Sequence, residues 1–246
     1  MLNIEERIKM DRIEICNLLK KDLCLEKEII ALRVLSENDI EKQNIPQYEG
    51  VTMMGLCSLI GEIQTSPRVF YITKDNVRCP EALISTGSSE RLTEEEHIAT
   101  IEEILENFPY HKDVKTAKKY YDELDKNLVF PEKKYDSMIV GTLEKVEEPD
   151  LVLLFLKPKY ADMLNRVHAY LGEFVQGFGG TGGCIFLVRY PYVSGKPTFS
   201  TSDLAWRTFT GMTENELTFV YPYKKLVEIA DEIHDVAEYC NAFGSW

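Results

Sequence analysis

The sequence predicts an α/β or α+β fold, a mixed sheet with flanking helices, in a single compact domain over residues 1–246. Three observations carry this. Apolar runs of strand length, such as Leu151–Leu156, alternate with stretches of helical period along the chain. Alternation of that kind packs as helices against a sheet. The 246 residues are 44% hydrophobic and 28% charged, an ordinary balance for a globular protein and enough to bury a sizeable core. Finally, no repeat or low-complexity linker divides the chain. The change from helical to stranded patterning near residue 130 marks the position where a subdomain border would fall.

The elements follow in order. Residues 5–20 read as a helix with Ile8, Ile15 and Leu19 on one face. Ile29–Leu35 reads as a core strand, and the polar stretch 36–50, with Asn44, Pro46 and Gly50, as a loop. A short helix starting near Met53 carries Cys57. Val69–Ile72 is a strand, and Pro80 suits the first turn of the next helix because its missing N–H is not needed there. Thr93 and Glu96 form a capping box, followed by Ile98, Ile101, Leu105 and Phe108 at helical spacing, with an end before Pro109. Residues 113–126 form another helix.

The second half alternates. Ser137–Thr142 and Leu151–Leu156 are strands, and 158–171 is a helix with Tyr160, Met163, Leu164, Val167 and Leu171 inward. Phe174-Val175 is a short strand entering a glycine loop. Ile185–Tyr190 is a strand or a helix entered at Cys184. Leu217–Tyr221 is a strand, and 224–240 is a helix with Leu226, Ala230, Ile233 and Ala237 on one stripe. Tyr190-Pro191-Tyr192 and Tyr221-Pro222-Tyr223 read as rigid strand exits or as the lining of a shared cleft.

Charge and composition narrow the function. The net charge is −13, which repels phosphate backbones and argues against nucleic-acid binding. Lys118-Lys119 and Lys133-Lys134 are short pairs flanked by acids. No apolar run approaches the ~20 residues of a membrane span, and the charged N-terminus does not read as a signal peptide. A cytoplasmic protein without a membrane partner is expected. The six cysteines contain no CxxC pair and should then be reduced unless they bind metal.

Five of the 14 glycines fall within residues 177–184, a run closed by Cys184. Gly179, Gly180, Gly182 and Gly183 are candidates for a cradle whose N–H groups face a cofactor, and tight packing is the alternative. Gly177, Gly179 and Gly182 spell G-x-G-x-x-G, but the motif lies late in the chain rather than in a first strand–helix unit. Cys57, Cys79 and Cys184 each adjoin a turn signal. They are candidate ligands of an iron–sulfur cluster or a soft metal, or small apolar plugs. Cys16, Cys24 and Cys240 read as packing. Asp203 and Arg207, four apart, either pair on one helical turn or orient a ligand, with Trp206 beside them as a pocket floor or a core residue. The four histidines form no site, and His97 and His234 read as surface residues.

Several pieces then stand in a recognisable order. They are Cys57 with Ile60, Tyr71-x-Thr73-Lys74 with Cys79-Pro80, Pro149-Asp150, Lys157-Pro158 and Gly183-Cys184. Further on come Pro191-Tyr192-x-x-Gly195-Lys196-Pro197, Asp203 with Arg207, Gly211-Met212-x-x-Asn215-Glu216-Leu217 and Tyr221-Pro222. Over roughly residues 12–235 this resembles the DUF169 (ArCR) family, found largely in archaea and anaerobic bacteria. The resemblance implies a soluble protein of anaerobic metabolism and no particular reaction. The chain departs from the family pattern at two points. Asp203 stands where some members have a cysteine, and Glu81 stands where a glycine follows Cys-Pro.

Three functional expectations follow. The first is a small-ligand, metal or iron–sulfur cofactor-binding protein whose site joins Cys57, Cys79, the 177–184 loop, Asp203 and Arg207. The second is a thiol-dependent enzyme using Cys184 or Cys79, without a histidine partner at recognisable spacing. The third is a structural or interaction homodimer with no ligand.

Overall fold

Leu151–Leu156 is apolar at every position, and every residue of it is buried. A strand shows alternate side chains to opposite faces, so such a run needs cover on both. The computed structural model supplies it. It describes residues 10–35, 39, 44–51, 55–87, 89–90, 92–107, 110–128 and 137–242. The expected positions of Ile8, Met53, Phe108, Pro109, Lys133, Lys134 and the border near 130 lie outside them.

The strands are β1 (Ile30–Leu35), β2 (Val69–Thr73), β3 (Ser137–Thr142), β4 (Leu151–Leu156), β5 (Gln176–Phe178), β6 (Thr198–Ser200) and β7 (Leu217–Pro222). They form one sheet in the order β2-β3-β1-β4-β7-β6-β5. All neighbours are antiparallel except β5 and β6, which are parallel. This is the mixed sheet with flanking helices that the alternating pattern predicts.

The two faces divide by register. Ala31, Val152, Leu154 and Leu156 enter one core, covered by α1 (Arg12–Asp22), α6 (Pro158–Tyr170), α9 (Tyr223–Glu228) and α10 (Ala230–Ala242). Ile30, Leu32, Leu151, Leu153 and Phe155 enter the other. That core is covered by α2 (Leu56–Thr65), α3 (Pro80–Thr86), the helical run 183–194 and α8 (Leu204–Phe209). A hairpin of α4 (Glu94–Asn107) and α5 (Val114–Asn127) lies outside this second layer. Its starts are capped as expected. Thr93 and Glu96 exchange side-chain bonds with each other's backbone N–H, and Asp113 accepts from Thr116 N–H at 2.7 Å.

Four expectations change. Pairing on the edge strand begins at Gln176, not Phe174, whose side chain is 86% exposed. Strand β6 was not expected; Thr198 Oγ1 donates to the Gln176 carbonyl at 2.8 Å and fixes the parallel register. Leu171 is exposed rather than inward. The stretch 224–240 is two helices broken at Ile229. Leu226, Ile229, Ala230 and Ile233 all reach the core across the break, so the apolar stripe runs on with no Gly or Pro to announce it.

Residues 185–190 resolve as helix. Ile185–Arg189 is π-wound, with Tyr190 N–H bonding the Ile185 carbonyl five residues back, and Tyr190–Ser194 continues as α7. Pro191 has no N–H, and its ring crowds the carbonyl four residues before it, which the wider turn relieves. Tyr190-Pro191-Tyr192 therefore lies within a helix, not at a strand exit. Strand β5, this helix and the parallel β6 make a strand–helix–strand unit at the edge of the sheet. The G-x-G-x-x-G run does sit at its first turn.

Candidate functional site

Four distant segments meet between the second helical layer and the α4–α5 hairpin. They line a cavity of about 1000 Å³ that is half open to solvent. Cys57 comes from α2, Cys79 and Glu81 from the start of α3, Gly182 and Cys184 from the start of the helical run, and Asp203 from the start of α8. Each segment is placed by local chemistry. Cys79 is the residue before the Pro80 that opens α3. Gly55, at φ +75°, allows α2 to begin against it; a Cβ there would lie 2.5 Å from Cys79 Cβ.

Two carboxylates fill the N-terminus of the 183–194 helix. Asp203 Oδ1 accepts from Trp206 N–H at 2.7 Å as the cap of α8, and its Oδ2 accepts from Gly183 N–H at 2.7 Å. One side chain thus ties two helix starts. Glu81 Oε1 accepts from Cys184 N–H at 2.8 Å and Ile185 N–H at 3.3 Å. Of the N–H groups at this helix start, those of Gly183, Cys184 and Ile185 already bond to acids, so Gly183 is not free to cradle a phosphate.

Electrostatics follow from burial. Burial, and then the Asp203 carboxylate, pushes Glu81 up to about 7. Burial pushes the Cys57 and Cys79 thiols up to about 12, with Cys79 the next cause for Cys57 and Glu81 the next for Cys79. Cys184 is raised well above the usual thiol range by burial, then by Glu81. All three are neutral thiols at pH 7, hence poor nucleophiles. No disulfide joins any of the six cysteines, and Cys24 is exposed. We expect iodoacetamide at pH 7.5 to label Cys24 in the native protein well before Cys57, Cys79 or Cys184. Peptide mapping over time checks this; early labelling of Cys79 or Cys184 would restore the thiol-enzyme reading.

The structure brings Cys57, Cys79, Cys184, Gly182 and Asp203 together at the cavity, with Gly183 joined through its N–H. It leaves the other candidates apart. A Cβ on Gly179 would meet Thr201 Oγ1 at 3.6 Å and one on Gly180 the Tyr120 hydroxyl at 3.2 Å, and neither glycine lines the cavity. Arg207 turns away. Its guanidinium donates to the Thr201 and Glu216 carbonyls at 2.9 and 3.0 Å and to the Thr213 carbonyl. Among the described residues it makes no ion pair with Asp203, whose carboxylate is committed to backbone donors. Arg207 is a clamp on its own loop.

The hairpin forms one wall of the cavity. Tyr120 Oη donates to the Thr181 carbonyl at 2.8 Å, Ala205 N–H donates to Tyr110 Oη at 2.8 Å, and His111 Nε2 lies 3.2 Å from Thr181 Oγ1. Arg189, 1% exposed, reaches Asp125 of α5 at 3.4 Å. His97, expected at the surface, faces the cavity edge-on to Tyr121 at 5.5 Å between ring centroids. His234 stays partly exposed, bonded to Asp22 at 2.8 Å.

Sequence reasoning missed Glu81, Tyr110 and Tyr121. For Glu81 there was a signal, the acid standing after Cys79-Pro80 where the family resemblance implies a glycine. Tyr110 and Tyr121 carried none, because a tyrosine on an amphipathic hairpin reads as ordinary packing. Trp206 resolves as both alternatives at once: it is 2% exposed and also lines the cavity.

Among the described residues, no three His, Cys, Asp or Glu side chains are grouped so as to hold an ion. Nor is any helix among them long and apolar enough to cross a membrane. One protein-family model, DUF169, described as Uncharacterised ArCR, matches residues 18–232. No curated protein and no solved structure matches.

Proposed function

The chain belongs to the DUF169 family, and we propose that it is a small-ligand-binding protein whose ligand occupies the cavity between the Cys57–Cys79–Cys184 cluster and the α4–α5 hairpin. One observation carries this reading. Residues more than a hundred positions apart in sequence converge on one cavity of about 1000 Å³, at the upper end of the ~300–1000 Å³ usual for small-molecule sites. The thiols serve here as neutral, polarisable contacts. Glu81 and Asp203 hold the floor rigid by fixing two helix starts.

The test is native mass spectrometry of anaerobically purified protein, beside an Ile104→Trp variant. Ile104 lines the cavity from α4, and the larger ring would crowd a guest there. The wild type is expected to carry a non-covalent adduct of small-molecule mass that is diminished in Ile104→Trp at unchanged fold. An adduct equally present in both would sink the proposal. An adduct with the mass of a metal or cluster, lost in Cys57→Ser, would replace the organic ligand by a cofactor assembled on the thiols.

A further inference from the structure

Aromatic rings reach the cavity from separate elements. His97 and Tyr121 come from the hairpin, Tyr110 from the turn within it, and Trp206 and Phe209 from α8. They are held in place. Trp206 Nε1 donates to Thr218 Oγ1 at 3.1 Å, Tyr110 is fixed through Ala205 N–H, and Tyr121 packs at 5.5–5.7 Å centroid distances against His97, His111 and Tyr120. The rings that stay partly exposed, His97, Tyr110, Tyr121 and Phe209, are held ready for a guest at little entropic cost, while Trp206, 2% exposed, backs them. Between them stand the thiols, which are soft and uncharged.

The charge of the wall sets the sign of the guest. Six carboxylates line the cavity among the described residues, against three cations, Arg78, Lys118 and Arg189. Of the three cations, Arg189 is engaged with Asp125 and Lys118 with Asp122 at 2.9 Å. The helix N-terminus that would welcome an anion is filled by Glu81 and Asp203. A negative guest meets Arg78 but also the surplus of acids, whereas a positive one gains from that surplus and the ring faces together.

Resting on the cavity being a ligand site, we propose that its ligand is a planar aromatic or heteroaromatic molecule, neutral or cationic. Two three-ring probes of opposite charge test it: proflavine, a cation, and 9-anthracenecarboxylate, an anion. Each is titrated by fluorescence at 150 mM salt into wild type, Tyr121→Leu, Ile104→Trp and, as a second crowding variant, Thr100→Phe. Proflavine is expected to bind about tenfold or more tightly than the anion, with Tyr121→Leu weakening it by roughly tenfold, the range of one lost ring contact. Either crowding variant that keeps its fold should weaken it at least severalfold. Three results would overturn the proposal: comparable or tighter binding of the anion, no binding of either probe, or proflavine binding unweakened in both crowding variants, which is attraction to the acidic surface. A native adduct diminished in Ile104→Trp alongside any of these would leave the cavity a ligand site and remove only the ligand class.

Discussion

Gly61→Ala is expected to unfold the protein or destabilise it by at least ~3 kcal/mol, beyond the common range for an overpacked core site. Helix α2 crosses α8 at this glycine. A Cβ on Gly61 would lie 1.9 Å from the Phe209 carbonyl oxygen and 3.1 Å from its carbon. Both are backbone atoms, so no side chain can swing aside. The only relief is separation of the two helices, which carry Cys57 and Trp206 on opposite sides of the contact. Gly179→Ala is the control: its Cβ would meet one hydroxyl at an ordinary 3.6 Å. Urea unfolding followed by circular dichroism should show a large fall in midpoint for Gly61→Ala and little change for Gly179→Ala. Equal midpoints for Gly61→Ala and wild type would mean that α2 and α8 do not touch as described.

The second large effect is at Glu81. Its carboxyl sits at about 7 in the folded protein, against 4.5 for an ordinary glutamate, because of burial and then Asp203. Below about pH 4.5 the group is protonated folded or unfolded. Between about 4.5 and 7 the folded state alone keeps the proton, so this group's contribution to stability falls as pH rises across that window. Above about 7 it is ionised in both states and the folded state bears the full penalty. Glu81→Gln keeps an oxygen acceptor for Cys184 and Ile185 N–H and cannot titrate. The stability of wild type relative to Glu81→Gln is therefore expected to decline from pH 4.5 to 7, by at most ~1.4 kcal/mol per pH unit. Denaturant midpoints at half-unit pH steps measure it. A difference that is flat, or that grows with pH, would show Glu81 ionised normally and exposed to water.

Much of the fold was legible because buried strands are written in continuous apolar runs. Leu151–Leu156 and Ser137–Thr142 fall within the strands read from sequence, and the Thr93 and Asp113 starts do the same for the hairpin helices. The break at Ile229 was hidden because both helices share one stripe. The helix at 185–190 stayed ambiguous because Ile185–Arg189 are all buried and show no period. For the site, turn signals marked Cys57, Cys79 and Cys184, the spacing from Arg207 marked Asp203, and tertiary folding gathered them. The roles of Arg207 and Glu81 were not readable. Whether a guanidinium meets a carboxylate or three carbonyls, and whether an acid faces water or a buried helix start, depends on what lies opposite in space.

The most direct test of the ligand-site account is a crystal structure of the protein purified and crystallised without oxygen. The account predicts continuous non-protein density in the cavity, bounded by Tyr121 and Trp206 and touching at least one of the Cys57, Cys79 and Cys184 side chains. A cavity closed by direct packing of the hairpin onto α8, with no space for a guest, would contradict it and leave the cysteines as core.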